Sequence, residues 1–162
     1  MEPMGQRSVT ESDFDDYADY YRMQLRDGME FQDYVTRKLY QAGIVVVTYA
    51  SKRFQNLFGE NILGMEIKLD KKFRKTGNLY IETHEKANPK NLDYVPSGIN
   101  RDDNSWLYAI GDEERLFVFS PKYLHMIKSK YREITKPTSI GFLIPLADAE
   151  KYALRIFEWE EW

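Results

Sequence analysis

Two neighbouring segments with an alternating polar and apolar pattern constrain this chain more than any other feature. Residues 62–70 predict one β-strand, and residues 79–86 predict the next. Within the first segment, apolar and charged side chains alternate: Met65, Ile67 and Leu69 against Glu66, Lys68 and Asp70. Within the second, one face carries Tyr80, Glu82, His84 and Lys86. Each predicted strand therefore presents acidic side chains on its polar face.

The connection between these strands is short and ends in a turn signature at residues 76–78. A tight connection of this kind predicts antiparallel neighbours, with Asp70 and Glu82 projecting from one face of the sheet. Two carboxylates held a few ångströms apart repel unless a proton or a cation joins them. Mg²⁺, or Mn²⁺ in its place, satisfies such a pair, because it prefers hard oxygen ligands and often uses only one or two carboxylates. The alternative is a solvated face on which both acids pair with Lys68 and Lys86.

Three further residues are candidates for the chemistry of this site. His84 is a candidate general base, phosphate contact or metal ligand, and a satisfied surface histidine is the alternative. Lys86 is a candidate for orienting a nucleophile or contacting phosphate, and an exposed strand-end lysine is the alternative. Glu30 would reach a metal through water if its helix crosses the sheet. Its alternative role is a capping box with Asp27 at the start of that helix.

Basic and aromatic residues around the two strands predict contacts with nucleic acid. The connection after Asp70 carries a basic cluster that would neutralise phosphates, with a solvated turn as the alternative. Residues 87–104 form a long polar loop that would track a nucleic acid strand, with Tyr94 stacking on a base. The predicted nucleic-acid-binding residues are Lys68, Lys71, Lys72, Arg74, Lys75, Tyr94 and Arg101.

The remaining pattern predicts an α/β (α+β) chain. Helices are expected over residues 12–26, with Ser12 as N-cap, and over residues 28–42, with Gly28 interrupting them. The β-branched run 44–49 predicts a buried strand. A hairpin is expected from residues 106–110 and 116–119, a strand at 140–144, and helices at 121–132 and from Pro145 or Leu146 to Trp159. The predicted organisation is an acidic helical extension, residues 1–26, followed by a single domain, residues 27–162.

Charge and composition limit the classes of function. Residues 33–140 contain 18 basic and 13 acidic side chains, a net charge of +5, although the whole chain carries −3. A basic central region permits phosphate binding. The absence of cysteine excludes disulfides and thiolate metal sites, and it fits a reducing, cytoplasmic setting. No apolar run approaches a membrane span, and the acidic start lacks a signal-peptide pattern, so no membrane partner is expected.

The paired segments resemble the catalytic strands of the PD-(D/E)XK nuclease superfamily, in particular its small phage-type and restriction-like endonucleases. The resemblance is carried by Gly64 to Asp70, by Thr76 to Glu82, and by the early acid in Gly28-Met29-Glu30-Phe31. The later strands, residues 106–112 and 116–119, fit the rest of that family's sheet. The resemblance covers roughly residues 27–130.

The resemblance implies a restriction-endonuclease-like core with a central mixed sheet flanked by helices. It also implies a metal held by Asp70 and Glu82 with the backbone carbonyl of Thr83, supported by Glu30, in a Mg²⁺-dependent deoxyribonuclease. One departure is that His84 stands where the family usually has lysine. Either His84 replaces that lysine, or Lys86 reaches back, or the protein is an inactive nuclease-fold module that binds DNA or a protein partner. A double-strand cut would ordinarily need two active sites, which makes a homodimer a candidate assembly.

Overall fold

A computed structural model describes the backbone of residues 13–159 and the side chains of residues 19–159. The helices are α1 (Asp13–Gln41), α2 (Lys52–Phe58), α3 (Phe73–Thr76), α4 (Pro121–Ile127) and α5 (Leu146–Tyr152). The strands are β1 (Met65–Leu69), β2 (Asn78–Glu85), β3 (Val95–Pro96), β4 (Leu107–Gly111), β5 (Arg115–Phe119), β6 (Glu133–Thr135), β7 (Ser139–Pro145) and β8 (Arg155–Glu158).

Helix α1 is continuous over 29 residues, so the predicted interruption at Gly28 is wrong. It crosses the boundary that the sequence predicts between residues 26 and 27. The packing of Phe31, Val35 and Leu39 on the first sheet stabilises the helix beyond the glycine. Asp27 therefore lies inside a helix and cannot form the predicted capping box with Glu30. The predicted N-cap Ser12 lies outside the described residues.

We expect Gly28→Ala to stabilise the protein by about 0.5–1 kcal/mol, because alanine loses less backbone entropy within a helix. A Cβ at this position meets no atom within 4 Å. Gly43→Ala is the matched control just beyond the same helix. Its site is equally open but has φ +83°, where alanine is strained. Urea denaturation measures both variants, and a destabilising Gly28→Ala would mean that the helix breaks at this residue.

Within residues 13–159, the strands form two four-stranded sheets. The first sheet has the order β1-β4-β5-β8, with β1 parallel to β4 and the other pairs antiparallel. The second has the order β3-β2-β7-β6 and is antiparallel throughout. The prediction that the strands carrying Asp70 and Glu82 are antiparallel neighbours is therefore wrong, since β1 and β2 belong to different sheets. A short helical turn, α3, occupies their connection and redirects the chain.

Two hydrophobic cores lie on opposite faces of the first sheet. One joins α1 to the face that carries Met65, Ile67 and Ala109. The other is shared with the inner face of the second sheet and includes Tyr108, Ile81 and residues of α3, α4 and α5. The predicted alternation of residues 65–69 is confirmed, because Met65 and Ile67 face α1. The chain is thus an α+β protein with a mixed and an antiparallel sheet flanked by helices.

Several predicted elements have different bounds in the structure. The hairpin β4–β5 and the strand at 140–144 are confirmed. The predicted buried strand 44–49 is wrong: Val45 and Val47 are exposed, and only Thr48 forms an isolated bridge, to Asn61. The predicted final helix is also wrong beyond Tyr152, since residues 155–158 form β8 against β5. Helix α4 ends at Ile127 and continues only as a 3₁₀ turn.

Within residues 13–159, no helix has the length and apolar character needed to cross a membrane.

Candidate functional site

A groove of about 500 Å³ lies between the middle of α1, residues 20–32, and the strands β1 and β2. Its walls carry both signs of charge. The acidic side chains are Glu60, Asp70, Glu82 and Glu85, and the basic ones are Lys52, Lys68, Lys71, Lys72 and Lys136. Asp70 and Glu82 therefore line one groove, although their strands share no hydrogen bonds.

Backbone hydrogen bonds do not pair β1 with β2, and the side chain of Asp70 connects the two segments instead. Its two carboxylate oxygens accept hydrogen bonds from the N–H of Lys72, at 2.9 Å, and from the N–H of Tyr80, at 3.1 Å. Tyr80 and Glu82 lie two residues apart on β2 and share its outer face. The Asp70 carboxylate is thus fixed beside the strand that carries Glu82.

Lys68 lies between two carboxylates at the floor of the groove. Its Nζ is 3.0 Å from Oε1 of Glu66 and 3.7 Å from Oε1 of Glu82. The side chain of Glu66 is only 1% exposed, and that of Glu82 is 20% exposed. Ser97 donates a hydrogen bond to the same oxygen of Glu82 at 2.7 Å. Glu66 is not among the site residues that the sequence predicts, although the predicted alternation places it on the same face of the strand as Lys68.

Burial and charge set the ionisation of this cluster. Burial raises the pKa of Glu66, against the opposing effect of the Lys68 ammonium. Burial lowers the pKa of Lys68, but Coulombic attraction to Glu66 and Glu82 outweighs it, so the pKa lies well above its usual value. Lys68 is therefore a protonated hydrogen-bond donor at neutral pH.

A partly buried acid, Glu60, connects this cluster to α1. Gln32 donates a hydrogen bond to its Oε2 at 2.8 Å, and Arg101 lies 3.8 Å from its Oε1. Burial raises the pKa of Glu60, while the positive charges of Lys68 and Arg101 lower it. The sequence gives no periodic signal for Glu60, because it lies in the irregular segment between α2 and β1.

His84 does not share the face of Glu82, which contradicts the predicted alternation. The register of β2 against β7 shifts between Glu82, paired with Gly141, and His84, paired with Ile140. Paired residues point to the same face, and Ile140 shares its face with the core residue Phe142. The bulge therefore turns His84 away from the groove and brings Glu85 onto the groove side. The His84 ring is hydrogen-bonded to the Thr83 hydroxyl instead.

Internal contacts occupy several of the other predicted site residues. Lys86 donates to the carbonyl of Asn91 and lies 4.5 Å from the centre of the Tyr94 ring. The Tyr94 hydroxyl donates to the carbonyl of Lys136. Arg101 is paired with Asp103 and donates to the carbonyl of Gln55. These contacts stabilise the loop beside the groove, and Lys86, Tyr94 and Arg101 do not line the groove itself.

The predicted basic cluster is divided between the groove and its surroundings. Lys71 is paired with Asp27, and Arg74 is paired with Asp112 and Glu114. Lys72 lines the groove, whereas Lys75 is exposed elsewhere on α3. Glu30 is exposed and faces Arg26 along α1. It lines a separate acidic cleft of about 740 Å³ with Asp27 and residues 112–114.

A close approach of Gly98 fixes the backbone at Glu82. A Cβ on Gly98, which has φ +53°, would lie 2.2 Å from the carbonyl oxygen of Glu82. Gly77 has a similar φ of +72°, but a Cβ there meets nothing within 4 Å. The close contact with β2 therefore requires glycine at position 98, whereas at position 77 only the turn conformation favours glycine.

We expect Gly98→Ala to cost at least about 2 kcal/mol, since strain at positive φ adds to overpacking against β2. Gly77→Ala should cost about 1 kcal/mol from strain alone. Chemical denaturation of both variants gives the comparison. Equal losses would show that contact with Glu82 does not constrain Gly98.

Among the side chains of residues 19–159, no three histidine, aspartate or glutamate residues are grouped closely enough to hold a metal ion by themselves. The carbonyl of Thr83, which the resemblance implies as a ligand, accepts a hydrogen bond from the N–H of Ser97 at 2.9 Å. Any ion in the groove would therefore depend on two carboxylates and water.

Comparisons with protein-family models, with curated proteins and with solved structures each find no match to this chain.

Proposed function

We propose that this protein is a metal-dependent deoxyribonuclease with a restriction-endonuclease-like core of the PD-(D/E)XK type. The observation that carries the proposal is one groove that both Asp70 and Glu82 line, with the Lys68 ammonium 3.7 Å from Glu82. The mixed first sheet, with its parallel β1–β4 pair and α1 packed on one face, supports the fold that the resemblance implies. The wider roles that fit are phage DNA processing, recombination or defence.

The groove carries carboxylate oxygens, the donors that a hard divalent cation prefers. Asp70 and Glu82 line it, and the carboxylates of Glu60, Glu66 and Glu82 all interact with the Lys68 ammonium. Oε1 of Glu66 contacts the Lys68 ammonium, whereas Oε2 has no hydrogen-bond partner within the described part of the chain. A cation held by Asp70 and Glu82 would offset the negative charge of these two carboxylates. Mg²⁺, or Mn²⁺ in its place, is commonly held by one or two carboxylates, which Asp70 and Glu82 would provide.

In this proposal Asp70, Glu82 and Lys68 have different roles in catalysis. A bound Mg²⁺ would supply a Lewis acid and an activated water for hydrolysis. Asp70 would hold its ligand geometry because two backbone N–H groups orient its carboxylate. Lys68, protonated at neutral pH, would orient Glu82 and stabilise negative charge on the phosphate rather than abstract a proton. In this assignment Lys68 has the role for which His84 and Lys86 are the candidates predicted from the sequence.

The direct test incubates the protein with supercoiled plasmid and circular single-stranded DNA in Mg²⁺, Mn²⁺ or EDTA. We expect cleavage in either metal and none in EDTA. Equal cleavage by Glu82→Gln, purified in parallel, would identify the activity as a contaminant. No cleavage of either DNA in either metal would contradict the proposal.

A second candidate function is a catalytically inactive nuclease-fold module that binds DNA or a protein partner. It is favoured by two observations: His84 faces away from the groove, and no group of three metal-binding side chains occurs among residues 19–159. This alternative predicts DNA binding without cleavage. Metal-dependent nicking that is lost in Glu82→Gln would exclude it.

A further inference from the structure

Lys136 reaches the groove from a distant part of the chain, the turn between β6 and β7. Its backbone N–H donates to the carbonyl of Ser139 at 2.7 Å, and its own carbonyl accepts from the Tyr94 hydroxyl at 2.7 Å. Its ammonium lies 3.3 Å from the centre of the Tyr80 ring, and the Tyr80 hydroxyl is hydrogen-bonded to Ser139 at 2.9 Å. The backbone is thus fixed on both sides, and a cation–π contact holds the ammonium at the groove wall.

Lys136 and Lys72 carry positive charge that the described part of the chain leaves unmatched. No carboxylate of those residues lies within 4.0 Å of either ammonium, whereas Lys68 and Lys71 are each ion-paired. Partial burial, followed by repulsion from Lys72, lowers the pKa of Lys136, while Asp70 and Glu82 oppose this effect more weakly. Both lysines line the groove that Asp70 and Glu82 also line.

An anion bound in the groove would pair with these two ammonium groups, which have no ion-pair partner among the described residues. Lysine is a compact point charge that suits a phosphate oxygen. A free anion would be repelled by Asp70 and Glu82 nearby unless a cation offset their charge. A phosphodiester that meets the lysines on one side and a carboxylate-bound cation on the other satisfies both conditions.

We propose that Lys136 and Lys72 form a phosphate-binding pair that holds the backbone of a nucleic acid strand beside Asp70 and Glu82. This inference rests on the proposed function, since it needs a phosphodiester in the groove. It adds a binding residue, Lys136, that sequence reasoning misses, because only the pairing of β7 with β2 brings it to the site.

The test measures binding of fluorescein-labelled single-stranded and duplex DNA by anisotropy in Ca²⁺ and in EDTA, over a series of KCl concentrations. We expect Lys136→Ala to lower the affinity about threefold to tenfold, as loss of one phosphate contact predicts. The slope of log affinity against log salt should become shallower by about 0.7–0.9. Lys72→Ala should behave alike, and Lys136→Arg should restore the slope.

Lys151→Ala is the matched control, since Lys151 also lies over a tyrosine ring, Tyr152, but outside the groove. Any of three results would overturn the phosphate pair. They are wild-type affinity and slope in Lys136→Ala, the same loss of affinity in Lys151→Ala, and no binding of either DNA by the wild type. Cleavage by the wild type with unchanged binding in Lys136→Ala would reject the pair alone. Weakened binding in Lys136→Ala without any cleavage by the wild type would reject the nuclease and retain the pair.

Discussion

Glu82→Gln is expected to lower the rate of metal-dependent DNA cleavage by at least about 100-fold, because even indirect supports of a metal ligand are worth up to that factor. Glutamine keeps the shape of the side chain and an oxygen that can accept the Ser97 hydrogen bond. It removes the negative charge that Mg²⁺ requires. The fold should therefore survive while the proposed chemistry is lost.

The charge change at Glu82 also has a readout that does not depend on activity. If Glu82 is a ligand, saturating Mg²⁺ stabilises the wild type against heat, since binding to the folded state alone raises stability. This stabilisation should be much smaller in Glu82→Gln. Differential scanning fluorimetry over a series of Mg²⁺ concentrations measures the effect without DNA.

Glu85→Gln is the control for Glu82→Gln. Glu85 lies on the same strand and lines the same groove, but it is exposed and has no place among the proposed ligands. Its neutralisation should leave cleavage within about threefold, as screening of an exposed charge suggests. Equal losses in the two variants would mean that the groove responds only to its total charge, and a fully active Glu82→Gln would remove Glu82 from the reaction.

Local pattern in the sequence accounts for the parts of the fold that local physics determines. The alternation around Ile67 predicts which side of β1 is buried, because side chains on successive strand residues point to opposite faces. The turn residues 111–114 likewise predict the β4–β5 hairpin. Helix α1 departs from its prediction since packing of Phe31 and Val35 outweighs the cost of one glycine.

The parts of the site that sequence reasoning misses depend on pairing between distant segments. The bulge after Glu82 arises only from the register of β2 against β7, and it decides that Glu85 rather than His84 faces the groove. The run 44–49 has strand composition, but its pairing with residues 60–62 is limited to an isolated bridge at Thr48, which shows that β propensity follows context. Burial of Glu66 similarly depends on the second sheet, which no short motif encodes.

Lys68→Met is expected to lower the free energy of unfolding by about 3 kcal/mol at pH 7.5, the lower end of the cost of breaking a buried ion pair. The variant leaves the Glu66 carboxylate buried without its only ion-pair partner in the described chain. The lower end applies because Lys68 is about one-third exposed and water can reach its place. Lys75→Met, on the exposed side of α3, should change stability by no more than about 0.5 kcal/mol.

The loss in Lys68→Met should depend on pH in a defined direction. Burial already raises the pKa of Glu66, and removal of the Lys68 charge raises it further. Between the ordinary and the raised pKa, the folded state binds more protons than the unfolded state, so stability falls as pH rises through that interval. The deficit relative to wild type should therefore be larger at pH 7.5 than at pH 5. Urea denaturation at the two pH values measures it.

Glu66→Gln in the Lys68→Met background isolates the cause of this loss. Glutamine cannot ionise, so the double variant should regain about 2 kcal/mol at pH 7.5, because an unpaired buried amide costs less than an unpaired buried charge. It should also lose the added pH dependence. If Lys68→Met is as stable as wild type, or if Glu66→Gln restores nothing, the floor of the groove is not held by this ion pair. Its negative charge would then have to be neutralised by protonation, which would weaken the case for a cation at Glu82.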